Sequence, residues 1–276
     1  MSRNRADAME RPVVTLMTDF GTRDGYAGAV KGVILSLCPS AALVDITHDI
    51  GAGDIAEAAF VLETYHDLFP AGTVHLVVVD PGVGGPRRAL AVSSGGRWYV
   101  GPDNGVFVAV YNSPVGFVCR ELTSPAHRRN EISAVFHGRD IFAPAAAFLA
   151  SGGDWSELGP PVMYPVRPER KKRADCSSGC IAGKIIHVDH FGNLVTDITV
   201  AELRGFFTDL AKIRVRIAGR EVHGLSEYYS QSPAGELVAL ASSHGRLEIA
   251  ASGASAEKIL GGALRGAVAR VSAIEA

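Results

Sequence analysis

The 276-residue chain has no apolar run near the ~20 residues that cross a bilayer as a helix. Its opening stretch, MSRNRADAMERP, lacks the apolar core of a signal peptide, so the default expectation is a cytoplasmic protein with a polar lead-in. Charge of one sign is missing too. Twenty-seven Lys and Arg stand against 29 Asp and Glu, a net of −2, which excludes wrapping a polyanion or lying on an acidic membrane. Neither nucleic acid nor membrane is expected as a partner. Cysteine is scarce: four residues are too few for a disulfide scaffold at this length. Cys38 and Cys119 sit in apolar surroundings as buried thiols, and Cys176 and Cys180, in CSSGC, read as plain thiols rather than as half of a zinc site. Phosphate-binding signatures are also absent. TDFGTRDG after the first strand is not G-x-G-x-x-G, and no G-x-x-x-x-G-K-[ST] occurs. Nine histidines show neither H-x-x-x-H nor H-E-x-x-H spacing, so no metal is expected. Asp45, His48 and Asp49 in DITHD do not alter that, because strand alternation would put Asp45 and His48 on opposite faces.

What is present is 47% hydrophobic residues, enough for a sizeable core. VVTLMTDF (13–20), ALVDITHD (42–49) and TVHLVVVD (73–80) read as strands. GYAGAVKGVILSLCP (25–39) and DIAEAAFVLETYHDLFP (54–70) read as helices between them, the second capped by Asp54. Strands this apolar, alternating with helices, predict a parallel sheet covered on both faces. ALAVSS and WYVGPDNGVFVAVY look like antiparallel additions, and RDIFAPAAAFLASGG (139–153) like a later helix. GPPVMYPVRPERKKRADCSSG then combines prolines with a basic run, Arg170 to Arg173, which reads as a solvated linker face. Beyond it CIAGKIIHVD, GNLVTDI, KIRVRIAG, ELVALASS, RLEIAAS and AVARVSAI are short strands at close spacing, the pattern of a small antiparallel barrel or sandwich. The expected organisation is an α/β N-terminal domain with a mainly parallel sheet (11–165), a linker (166–179) and a small antiparallel β-barrel C-terminal domain (180–276).

Asp19, Asp49 and Asp80 end the three predicted parallel strands, where ligands of open α/β sheets bind. Asp19 suits a ligand's hydroxyl groups, such as a ribose diol, and equally suits a cap for the helix that follows. Asp80 precedes PGVGG, a turn that lets backbone approach a ligand, and Arg87 is within reach if that turn folds back. The pair is either a structural salt bridge or half of a catalytic site. His137, in FHGRDIF, precedes a predicted helix, whose N-terminus disfavours imidazolium. In VDHFGNLVTDI, Asp189, Phe191 and Asn193 surround a tight turn. They can read a base edge and stack on a ring, or simply form a hairpin with an Asx cap. SSHGRLEIAASGAS offers a turn whose amides can hold an anion.

Together TDFGTRDGY, VVVDPGVGGPRRAL, GPDNGVF, FHGRDIFAPAAAFLA, DHFGNLVTDI and SSHGRLEIA resemble the S-adenosyl-L-methionine (SAM) hydroxide adenosyltransferases, the adenosine-forming SAM hydrolases, which are relatives of the SAM-dependent fluorinase and chlorinase. The resemblance runs from about residue 11 to 275. It implies an α/β domain followed by a β-barrel, a homotrimer with SAM sites at subunit interfaces, and attack of water or hydroxide on ribose C5′ that releases methionine and leaves adenosine. SAM is then the substrate, and no cofactor is implied. The catalytic set falls on Asp80, Arg87 and His137. Arg88 is one step off the family spacing.

The resemblance carries binding roles to Asp19 (ribose hydroxyls), Asp24 (a ligand-lining turn), Asp189 and Asn193 (methionine amino group and adenine), Tyr229 (stacking on adenine) and Ser243 (the methionine end). Phe191, His244, Ala251 and Gly253 complete the expected lining. His244 and Ala251 stand where the fluorinase has arginines, so the methionine carboxylate must rely on backbone amides or Arg246. In the halogenating branch a tyrosine and a tyrosine–serine pair replace Asp80 and His137–Gly138, and an insertion replaces SSGGR (93–97). An ionised Asp80 would repel halide and favour water. A halogenase, a non-catalytic SAM or adenosine binder and a metal-dependent phosphohydrolase are the rival readings.

Overall fold

The computed structural model describes residues 11–168 and 179–274, and the chain divides into two compact units, Met1–Glu169 and Arg170–Ala276. Most of the expected linker, the basic cluster Arg170 to Arg173 and Cys176 lie outside the described residues.

In the first unit β1 (Val13–Thr18), β2 (Ala42–Thr47) and β3 (Val74–Val78) pair in parallel, with α1 (Tyr26–Leu37) and α2 (Ile55–Tyr65) as crossovers. β4 (Ala89–Ser94), β5 (Arg97–Pro102) and β6 (Val118–Glu121) complete a six-stranded sheet of order β2-β1-β3-β5-β4-β6. α3 (Val108–Tyr111) and α4 (Ala143–Ala150) add two short helices.

Alternation along β3 separates two cores. Val74, Leu76 and Val78 pack with α1 and α4, while Val77 packs with α2 and α3. The buried strands are nearly all apolar because both faces are covered. Asp54 caps α2, accepting from the Glu57 amide at 2.9 Å, as its sequence position predicts.

Three expectations for the first unit need correction. WYVGP is not an antiparallel addition throughout: β5 runs parallel to β3 and antiparallel only to β4. VFVAVY is not strand, because Gly105 (φ +98°) and the Asn104 side chain, which accepts from the Val106 amide at 3.2 Å, turn the chain into α3. His48 and Asp45 do not diverge. β2 ends at Thr47, alternation stops there, and His48 Nε2 lies 3.1 Å from Asp45 Oδ1.

The second unit is one antiparallel seven-stranded sheet, order β10-β9-β13-β7-β8-β12-β11. Its strands are β7 (Cys180–Val188), β8 (Leu194–Thr199), β9 (Ile213–Ile217), β10 (Arg220–His223), β11 (Leu237–Ala241), β12 (Arg246–Ala251) and β13 (Val268–Ala273). The sheet curls almost closed, since the segment after β10 reaches β11 through a bridge between Ser226 and Leu240. A barrel of this kind leaves few strand edges exposed. α5 (Val200–Phe206), with a Thr199–Glu202 capping box, and α6 (Ala256–Ile259) pack onto its core. Cys38 and Cys119 are buried free thiols, but Cys180 is disulfide-bonded. Residue spacing alone does not tell a free thiol from a bonded one.

Candidate functional site

Asp80 stands two residues past β3, beyond the carboxyl edge of the parallel strands. Successive turns, Val83 N to Asp80 O at 3.2 Å and Gly85 N to Gly82 O at 3.0 Å, fold the following segment back. Gly84 is required there: its φ is +77°, and a Cβ would lie 2.3 Å from the Ala134 carbonyl. That contact seats the turn on the segment leading to His137.

The folded turn returns Arg87 to Asp80. Arg87 Nε donates to both carboxylate oxygens at 2.9 Å, and Nη2 donates to Oδ2. The two side chains are 12% and 5% exposed, so the pair is held largely away from solvent screening. The guanidinium lies over the Phe142 ring, 5.3 Å from its centroid. Arg88 points elsewhere. It donates to Asp103 and, through Nη2 at 2.7 Å, to the Tyr164 carbonyl. The neighbouring Asn104 donates to the Val79 carbonyl at 2.9 Å and so braces the strand end that carries Asp80.

His137 Nδ1 lies 2.7 Å from Arg87 Nη2. A guanidinium only donates, so Nδ1 accepts, and a neutral ring carries its proton on Nε2. The imidazole is pushed below its ordinary value of 6.5 by burial first and the Arg87 charge second. The expected neutrality therefore has a different cause from the helix terminus invoked in the sequence. His137 enters a single π-type turn (Gly138–Phe142) that leads into α4, and Asp140 in that turn is fixed by Arg139 and Arg129.

Asp19 is not a cap for α1, whose N-cap is Gly25 with no side-chain bond. Its Oδ2 instead accepts from the Gly53 amide at 2.8 Å. Asp24 and Asp49 are exposed. Phe20, Tyr26 and Phe136 pack mutually, with centroids 5.3–6.1 Å apart. They tie the Asp19–Asp24 loop to the residue before His137. The sequence reading missed this triad, although each ring lies within two residues of a named candidate.

The second unit holds its own cluster. Asp189 accepts from the Phe191 and Asn193 amides at 2.9 and 2.8 Å and from Asn193 Nδ2 at 2.9 Å. The hairpin alternative is thus real, and it leaves Phe191 73% exposed above a buried Asn193. Tyr229, half-exposed, donates its hydroxyl to Glu248 at 2.8 Å. Glu248 is buried, and desolvation first, with Asp189 nearby, raises its carboxyl above the usual 4.5. Burial and Glu248 push the Tyr229 hydroxyl up to about 12. Glu248 was missed; the signal was a lone charge inside the apolar run RLEIAAS.

Ser243 and His244 are exposed, with Oγ and Nε2 3.2 Å apart. The expected anion-holding turn is largely spent: the His244 and Arg246 amides bond Ser242 Oγ and the Gly245 amide bonds its carbonyl. Ala251 is buried at the end of β12 and Gly253 exposed in the turn beyond it. Among the described residues no group of three or more His, Cys, Asp or Glu is placed to hold a metal ion, and no helix is long and apolar enough to cross a membrane.

Against known proteins, the family described as SAM hydroxide adenosyltransferase matches twice, its N-terminal domain over residues 14–159 and its C-terminal domain over 183–269. A protein of Thermus thermophilus named (R)-S-adenosyl-L-methionine hydrolase is 38% identical over 259 residues, 91% of this chain and 96% of its own. One of the same name from Salinispora arenicola is 36% identical over 260 residues, 90% and 94%. A fluorinase of Nocardia brasiliensis is 29% identical over 278 residues, 89% and 92%. The crystal structure of an uncharacterized conserved protein from Thermotoga maritima superposes with a TM-score of 0.86 at 31% identity, covering 94% of this chain and 99% of that one.

Proposed function

This chain belongs to the SAM hydroxide adenosyltransferase family, and we propose that it hydrolyses SAM to adenosine and L-methionine. The observation that carries the reading is the continuous hydrogen-bonded set of Asp80, Arg87 and His137 at the carboxyl edge of the sheet. Relatives 36–38% identical are named SAM hydrolases, while the fluorinase matches at 29%.

The sulfonium is already a good leaving group, so departure of methionine needs no general acid. Water is a weak nucleophile, and the barrier is lowered by holding it in line behind the C5′–S bond, a term worth several kcal/mol. Asp80 accepts one O–H of that water, and Arg87 fixes the carboxylate by a fork that permits one orientation. As the O–C5′ bond forms, the C5′–S pair passes to sulfur. The oxygen becomes a strongly acidic protonated alcohol, and even a carboxylate paired with arginine takes its proton. His137, with Nδ1 occupied by Arg87, contributes a donor through Nε2–H that holds the oxygen in place. It does not act as the accepting base.

Asp19 holds the ribose hydroxyls and Asp24 lines the turn beside them. Asp189 and Asn193 meet the methionine ammonium and the adenine, Phe191 and Tyr229 offer ring faces, and Ser243, His244, Ala251 and Gly253 border the amino-acid end. The protein works as a homotrimer with its sites at subunit interfaces, a reading that rests on the family resemblance alone.

Incubating purified protein with both sulfonium epimers of SAM in ¹⁸O-water, with and without chloride, tests this. Adenosine carrying the label at O5′ is the expected product. A 5′-chloro-5′-deoxyadenosine would establish a halogenase, and unchanged SAM would leave only a binder. Light scattering should give three times the 29.0 kDa chain mass.

A further inference from the structure

Beside His137 the chain carries a glycine that its backbone does not require. Gly138 is not among the residues with positive φ, so any L-residue could adopt its conformation. What resists a side chain is space: a Cβ there would lie 3.1 Å from Phe20 Cζ, 3.5 Å from Phe20 Cε2 and 3.4 Å from Val78 Cγ1, so the Phe20 ring would have to yield by a few tenths of an ångström. Phe20 cannot swing aside freely, because its ring is wedged against Tyr26 at 6.1 Å and Phe136 at 5.9 Å, the latter edge-on. Phe20 directly follows Asp19, Phe136 directly precedes His137, and Val78 lies two residues before Asp80. The ring and the missing Cβ therefore fill one another's volume at a point flanked by all three candidate site segments.

We propose that Phe20 is a specificity-determining residue, its ring and the bare Gly138 backbone together limiting the nucleophile's space to the size of water. The inference rests on the SAM hydrolase reading. Interiors are close-packed, so a ring replaced by a smaller side chain leaves room that a small molecule can enter. Size has to be tested apart from charge, because Asp80 itself would repel an anionic nucleophile whatever the room. The fitting probe is a neutral oxygen nucleophile one carbon larger than water.

Methanol is that probe. Its oxygen attacks C5′, the C5′–S bond breaks with its electrons passing to sulfur, methionine leaves, and the hydroxyl proton is lost through Asp80 to solvent. The product is 5′-O-methyladenosine. In water–methanol mixtures the wild type should give adenosine alone, while Phe20→Ala, and more weakly Phe20→Leu, should give the methyl ether beside it. The converse variant tests the same contact. Gly138→Ala should lower kcat about tenfold with little change in the KM for SAM, and Phe20→Leu in the same chain should restore it to within about threefold of Phe20→Leu alone.

Labelled adenosine from the wild type, with no methyl ether from either Phe20 variant and multiplying rather than cancelling losses in the double variant, overturns the inference and leaves the hydrolase reading standing. A wild type that turns over neither epimer of SAM overturns both. Should Phe20→Ala not fold, Phe20→Leu and the double variant still decide.

Discussion

Arg87 donates to Nδ1 of His137 at 2.7 Å, and since a guanidinium has no lone pair to offer, that contact fixes which nitrogen of the imidazole holds the proton. The same guanidinium forks onto Asp80. One cation thus sets the orientation of a carboxylate and the tautomer of a ring.

Asp80→Ala and Asp80→Asn should each lower kcat by about tenfold or more while SAM still binds, as single-turnover and equilibrium-binding measurements would register. Arg87→Lys keeps the charge but loses the fork and the donor to His137, so it should lose nearly as much. A wild-type kcat for Arg87→Lys would mean that charge alone suffices.

Protonating His137 removes the lone pair that Arg87 uses. Its folded value lies below 6.5, so the neutral ring persists through neutral pH, and kcat/KM should be level there and fall only as pH drops below 6.5. His137→Asn retains an acceptor for Arg87 and cannot titrate. Its rate should be lower but free of that acid limb.

Gly84→Ala joins a left-handed φ to a 2.3 Å approach to the Ala134 carbonyl. It should destabilise the first unit by roughly 2 kcal/mol or more and lower activity by displacing the turn that delivers Arg87. Gly72, with φ +83° and open space around it, is the control: alanine there should be milder in urea melts and silent in kcat.

His75 is fully buried on β3, stacked on Tyr99 at 5.0 Å, and burial lowers its value from 6.5 to about 3. Because the unfolded chain takes up a proton near 6.5 and the folded one does not, its stabilising contribution is complete above 6.5 and is lost as pH falls toward 3. The slope is about 1.4 kcal/mol per pH unit. Urea melts of wild type and His75→Gln should converge as the pH is lowered from 7 to 5. Parallel curves would refute the assignment.

Tyr229→Phe frees a ring that Glu248 now anchors. It should raise the KM for SAM several-fold with kcat nearly unchanged, and Glu248→Gln, which still accepts the hydroxyl, should do less. Equal losses in kcat from both would point to general damage of the barrel.

The architecture was legible where burial imposes a period. The runs of β1 to β3, the Asp54 cap and the short strands of the barrel follow from residue type and spacing. WYVGP failed because both of its faces are covered and its direction depends on which neighbour it joins, which no local pattern records. DITHD failed because alternation was extended one residue beyond the strand. Of the site, Asp80 and Arg87 could be paired across the six-residue glycine turn between them. Glu248, Phe20 and the occupied amides around Ser242 depend on contacts across strands and loops, and only their type was visible beforehand.

Neighbouring arginines, 87 and 88, leave the same turn toward different carboxylates, one in the site and one in the scaffold. Deleting a single residue between 81 and 86 would hand Arg88 to Asp80 and strand Asp103 without its cation, while inserting one would hand Arg87 to Asp103 and leave Asp80 unpaired. The length of that bend therefore matters more than most of its letters, and a register error there would silence chemistry and loosen architecture at one stroke.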